Sequence, residues 1–140
     1  MAKWKEVETA VPDLAGAVRA RFEATKHHVL ATLRKDGSPR VSGTEVAFDG
    51  DEMQLGSMPD AAKARDLRHD GRFTIHANPG DGSMRGGDGK VTGTVIEVPN
   101  EGSHLFRLDI REVVHTTVEN DQLVIRWWTP DSGLCEIRRT

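Results

Sequence analysis

The stretch KHHVLATLRKDGSPRVSGTEVAF, residues 26–48, changes texture twice. Val29, Leu30, Ala31, Thr32 and Leu33 make a short apolar run of the strand type. Asp36-Gly37-Ser38-Pro39 then supplies turn residues, and Arg40 to Phe48 returns to a β-rich pattern. The order is strand, turn, strand. A second tight turn at Asp49-Gly50 leads into a short strand around Met53 to Gly56, and Asp-Gly between apolar runs is a strong hairpin signal. Three consecutive strands are therefore expected to form a meander.

On the N-terminal side, Pro12 to Lys26 carries Leu14, Val18 and Phe22 at i, i+4, i+8 behind Asp13, which predicts an amphipathic helix capped by that aspartate. On the other side, Pro59 to Arg68 is built from good helix formers with Asp60 placed to cap them, so a short helix should follow the third strand. Arg72 to Ala77 reads as a strand. Asn78 to Gly89 holds five glycines and reads as a mobile loop, either a lid or a plain connection. Lys90 to Val98, Leu105 to Val118 and Gln122 to Thr129 complete the strands, with Glu119-Asn120-Asp121 as a turn and Leu134 to Arg138 as a possible terminal strand. Many short strands with one inserted helix favour a β-barrel with peripheral helices.

The chain has 140 residues, a length suited to one domain. Its 22 acidic against 19 basic residues lack the basic excess that nucleic-acid binding requires. The single cysteine, Cys135, has no internal disulfide partner, the first ten residues lack an apolar signal core, and no membrane-spanning stretch follows. The expectation is a cytoplasmic protein without nucleic-acid or membrane partners. The six histidines show no recognised ligand spacing, and no serine stands in a nucleophile elbow.

The stretch with most chemistry is Gly56-Ser57-Met58-Pro59-Asp60-Ala61-Ala62-Lys63-Ala64-Arg65. Small residues, a hydroxyl, a helix start and two cations lie together. Free N–H groups and the positive helix end attract a phosphate, Ser57 has a proton to donate, and Lys63 or Arg65 neutralises charge. The other reading is an ordinary capped surface helix with solvated cations. In the preceding strand Arg40, Ser42 and Thr44 share one face, and Val41, Gly43 and Glu45 the other. The polar face suits the edge of a flat heterocycle, with Gly43 allowing close approach, or else simply faces solvent. Of Trp127 and Trp128, one should face inward and one outward, toward a partner subunit or a cofactor.

Taken in order, the strand Val29–Leu33, the turn Lys35–Arg40, the strand Val41–Phe48 and the block Lys63-Ala64-Arg65-Asp66-Leu67-Arg68-His69-Asp70 resemble the pyridoxamine 5'-phosphate oxidase-like FMN-binding split-barrel superfamily. The resemblance covers most of the chain and is strongest from about Lys26 to Ala77. It implies a mainly β fold: a split β-barrel of six to seven mostly antiparallel strands, with an N-terminal helix and a short helix after the third strand. It also implies a phosphate site with Ser57 at the hydroxyl position and Lys63 at the lysine position; Ala61 and Ala62 replace the family's serine and arginine, leaving Arg65 or Arg40 to compensate. The cofactor set it implies is Arg40, Val41, Ser42, Gly43, Thr44, Gly56, Ser57, Met58, Lys63, Arg65 and Trp128. The cofactor would be FMN or, alternatively, the deazaflavin coenzyme F420, held at two equivalent sites in a homodimer interface. The implied activity is an oxidoreductase passing hydride between that ring and a small organic substrate, with a flavin carrier or a barrel without cofactor as alternatives. The C-terminal arginine and histidine motif of the true oxidases is not recognisable in Arg126 to Thr140.

Overall fold

The computed structural model describes residues 1–140. Three helices and nine strands follow in the order α1 (Trp4–Ala10), α2 (Pro12–Ala24), β1 (His28–Leu33), β2 (Pro39–Thr44), β3 (Val46–Asp49), β4 (Glu52–Ser57), α3 (Ala62–His69), β5 (Arg72–His76), β6 (Asp88–Val98), β7 (His104–Glu119), β8 (Gln122–Thr129) and β9 (Gly133–Arg139). All strand pairs are antiparallel. The sheet runs β2-β1-β5-β6-β7-β4-β3 and does not close, because β2 and β3 each have one strand neighbour. This is a split β-barrel. The first half of β7 pairs with β4 and the second half with β8, so the longest strand leaves the barrel and carries a β8–β9 arm.

The nine strands exceed the six to seven expected, and the expected meander does not form. The run Arg40 to Phe48 is two strands, β2 and β3, separated at Glu45 and lying at opposite ends of the strand order. Arg40, Ser42, Thr44, Val46 and Phe48 nevertheless all remain the more buried set. The chain turns a barrel corner without changing parity, and a period-two pattern cannot register such a bend. The turn at Gly50 is as read: Asp49 pairs with Glu52 across a two-residue loop, and Gly50 takes φ +58°.

Neither aspartate expected to cap a helix does so. Val11 occupies the cap of α2, with Pro12 at the first helical position, where its missing N–H costs nothing. Ala61 caps α3 without a side-chain hydrogen bond, and Asp60 instead adopts φ +58°. Helix α1 was not anticipated; it places Trp4 and Val7, three residues apart, in the core. Trp4 meets Phe48 edge-on with ring centroids 5.1 Å apart, and Val18, Phe22, Leu30, Met53, Leu55, Ile75, Phe106, Leu108 and Ile110 complete the same cluster.

A bulge redirects β7. Thr92 pairs with Glu112 and Gly93 with Ile110, leaving Arg111 as the extra residue. Before it Phe106, Leu108 and Ile110 face the core; after it Val113 and His115 do. Gly93 makes this possible, since a Cβ there would collide with the backbone carbonyl of Asp109. At Gly43, by contrast, a Cβ would meet nothing within 4 Å. Gly93→Ala should therefore lower stability by about 1–3 kcal/mol, the range for forced overpacking, while Gly43→Ala stays within about 0.5 kcal/mol of the parent. Urea denaturation midpoints compare the two directly.

Candidate ligand-binding site

Three neighbouring clefts border β2 and α3. The first, of about 680 Å³, is lined by residues that include Gly43, Thr44, Gly56, Ser57, Met58 and Lys63. A second, of about 400 Å³, shares Gly43, Met58 and Lys63 with it and adds Arg40, Val41, Ser42, Ala61 and Ala62. The third, of about 580 Å³, holds Arg40 and Arg65 with Arg34, Lys35 and His69. Six of the residues expected at the cofactor thus converge on one cleft, and three more border its neighbour.

The first cleft has the chemistry of an anion site. Ser57 is 6% exposed, and its hydroxyl donates only to the adjacent Met58 carbonyl at 3.2 Å. The N–H groups of Ala62 and Lys63, in the first turn of α3, have no hydrogen-bond acceptor. Lys63 reaches across to the Gly43 carbonyl at 2.9 Å. Burial pushes the Lys63 ammonium below its ordinary pKa, with the Glu45 carboxylate acting in the opposite direction. Glu45 itself is paired with Lys26 at 3.3 Å. Gly43 and Gly56 leave the cleft walls open: no atom lies within 4 Å of a Cβ at Gly43, and only the His104 carbonyl, at 3.8 Å, comes near one at Gly56. Val41 and Met58 stand beside this opening 69% and 77% exposed.

Arg40, Arg65 and Trp128 are among the expected residues that lie outside the first cleft. Arg65 cannot join Lys63, because residues two apart on a helix point to different sides; it lines the third cleft instead. Arg40 donates through Nε to Asp66 Oδ2 at 2.7 Å, and Thr32 donates to the same oxygen at 2.8 Å. Trp128 is 7% exposed within the core cluster and borders none of the three clefts; Trp127 is the half-buried indole of the pair.

Sequence reading missed Val46, Ala47, Gln54, Ser103 and Leu105 in the cleft lining. The last two arrive through the β4–β7 register, which sets Ser57 opposite His104 and Gly56 opposite Leu105. No local pattern carries such a pairing. The glycine-rich loop lines none of these clefts. It is fastened elsewhere: Arg21 Nη1 donates to the Arg85 carbonyl at 3.1 Å, and His115 Nε2 lies 2.8 Å from the Gly86 carbonyl.

The turn at the mouth of the cleft has its own support. The Asp60 N–H donates to His104 Nε2 at 3.3 Å, and His104 Nδ1 lies 3.3 Å from Glu97. Arg68 donates to both Glu97 oxygens, at 2.7 and 2.8 Å. The Arg68 guanidinium, and after it His104, holds the Glu97 carboxyl down to about 2 from its ordinary 4.5. A depressed carboxylate pKa means that its stabilising contribution is complete above about pH 4.5 and disappears as pH falls toward 2. NMR titration should find the Glu97 midpoint near 2, and Arg68→Ala should return it toward 4.5.

A second test concerns Asp66, 6% exposed beneath α3. Asp66→Ala strands Arg40 and Thr32; we expect a loss of about 2–3 kcal/mol in chemical denaturation, below the full range for a broken buried pair because Arg40 is partly solvated.

No protein-family model matches the chain, and no curated protein matches it in sequence. Solved structures do match. PhzG from Burkholderia lata 383, in complex with tetrahydrophenazine-1-carboxylic acid, is similar at TM-score 0.71 and 12% identity over 95% of this chain and 91% of that one. A pyridoxamine 5'-phosphate oxidase-related, FMN binding protein from Nostoc punctiforme PCC 73102 is similar at TM-score 0.68 and 11% identity, over 93% and 96% of the two chains. An F420 reductase is similar at TM-score 0.53 and 17% identity, over 61% and 86%. A heme binding protein from Mycobacterium smegmatis and the heme storage protein HutZ from Vibrio cholerae also match. At these identities the likeness is one of fold: the chain is a split β-barrel like those of the FMN-binding, F420-reducing and heme-binding proteins.

Proposed function

We propose that the chain binds FMN in the cleft between β2, β4 and α3 and acts as an oxidoreductase toward a small organic substrate. One observation carries the reading. The buried Ser57 hydroxyl and the half-buried Lys63 ammonium meet at a cleft whose walls at Gly43 and Gly56 lack side chains, and the unpaired N–H groups of Ala62 and Lys63 lie where it joins its neighbour. A phosphate at the start of α3 would accept from Ser57, Ala62 and Lys63, and the ring would lie along β2 and β4. The bound flavin supplies hydride transfer, and the chain supplies binding and orientation.

In this reading two copies form a homodimer and complete each other's sites. Apolar residues left outside the single chain support it: Val41 and Met58 beside the cleft, and Val118, Leu134 and Ile137 on the β7–β9 arm. Ala61 and Ala62 favour a second reading, a barrel without cofactor, because they give a phosphate, of FMN or of F420, no side-chain donor beyond Ser57 and Lys63.

Separate titrations with FMN and F420, followed by fluorescence, test both. Binding of neither at about 100 μM, far weaker than a working cofactor site, would leave a barrel without this role. Lys63→Ala should weaken FMN binding about tenfold or more, equivalent to one charge-assisted hydrogen bond. Gly43→Leu should abolish binding with little change in melting temperature, since its side chain would enter open space. Turnover of a bound flavin with NADPH as donor distinguishes an enzyme from a carrier.

A further inference from the structure

The third cleft differs in kind from the first. No apolar residue lines its roughly 580 Å³; Arg34, Lys35, Asp36, Arg40, Arg65, Asp66 and His69 do. Both carboxylates are engaged. Asp66 accepts from Thr32 and Arg40, and Asp36 Oδ1 accepts the Ser38 N–H at 2.9 Å and the Ser38 hydroxyl at 2.6 Å. Arg34, Lys35 and Arg65 make no ion pair, although the chain as a whole carries a net charge of −3. Asp66 is balanced by Arg40, and Asp36 keeps its charge beside Arg34, Lys35 and Arg65, so the lining carries two positive charges in excess, with His69 one helical turn beyond Arg65 on the same face of α3.

Clustered like charges repel, and a concave wall concentrates their field on whatever occupies it. With no apolar side chain in the lining, charge rather than hydrophobic contact dominates what this cleft can hold. A compact polyanion finds the guanidinium forks of Arg34 and Arg65 on either side, with Lys35 as a further point charge. The volume lies in the range of small-molecule pockets and exceeds what one phosphate fills. Asp66 fixes the frame: by tying α3 to β1 and β2 it holds the two walls of the cleft, the β1–β2 turn and the outer face of α3, at a set separation.

We propose that this cleft is an anion site for a diphosphate group; it shares Arg34 and Arg40 with the second cleft, and Lys35, Arg65 and His69 set it apart from the clefts that Lys63 lines. The group arrives either as a free polyanion or as the diphosphate of a nucleotide.

The test uses the full chain, amide NMR, and two probes, inorganic pyrophosphate and ADP. Pyrophosphate should shift the amides of residues 34–38 and 65–69 saturably. The double variant Arg34→Ala, Arg65→Ala should bind at least about tenfold more weakly with an unchanged melting temperature. In Lys63→Ala the saturable shifts of residues 65–69 should persist with the parent's affinity even where FMN binding is lost, so the two readings succeed or fail separately. ADP binding more tightly than pyrophosphate would identify a nucleotide as the source, and equal affinities would identify the free polyanion. Absence of saturable shifts in these segments, or equal affinity in the double variant, would overturn the proposal.

Discussion

The carboxylate of Asp66 fixes the geometry on which both clefts depend. It lies beneath α3 and accepts hydrogen bonds from Thr32 on β1 and Arg40 on β2. A buried charge is several kcal/mol unfavourable without partners, so this arrangement admits little freedom. Helix α3 is eight residues long and lacks a side-chain cap, too short to persist without tertiary support. With Asp66 turned inward, Lys63 must face one side of the helix, and Arg65 with His69 the other. One buried contact thus sends Lys63 and Arg65 to different clefts.

The same constraint explains the polar inner face of β2. Arg40, Ser42 and Thr44 occupy positions that a barrel interior would fill with apolar groups. Arg40 answers the acid that anchors α3, and the Thr44 hydroxyl donates to the Glu45 carbonyl at 3.3 Å. Past the corner at Glu45 the inward positions become Val46 and Phe48, which pack against the apolar cluster around Trp4. The opposite face of β2 contributes Gly43, whose carbonyl receives Lys63 and whose missing side chain keeps the cleft open.

Much of this was legible locally. The Gly50 hairpin, the helix after β4 and the positions of most strands follow from turn chemistry, helix propensity and periodicity, while the grouping of Gly43 with Gly56, Ser57 and Lys63 comes from the family resemblance. What escaped was geometry without a local signature. The corner at Glu45 preserves parity, so one run concealed two strands. The bulge at Arg111 shifts parity without a glycine on its own strand; the enabling Gly93 lies across the sheet on β6. Helix α1, seven residues long, presents only Trp4 and Val7 as an apolar pair. Trp128 illustrates the limit of alternation: it assigns two tryptophans to opposite faces but does not say which face is the core.

The fold likeness alone does not choose a ligand, since similar barrels serve FMN-binding, F420-reducing and heme-binding proteins. The choice falls to local electrostatics. Lys63 has left part of its hydration and gained one carbonyl acceptor in return, which leaves its burial under-compensated. Ser57 and the unpaired N–H groups of α3 point to the same deficit, a set of donors lacking a strong acceptor. A single anionic group at the start of α3 relieves all of them at once. The acceptors of an uncharged ring would satisfy donors without answering the Lys63 charge, so in the proposed reading the phosphate is the part of the ligand that this cleft selects.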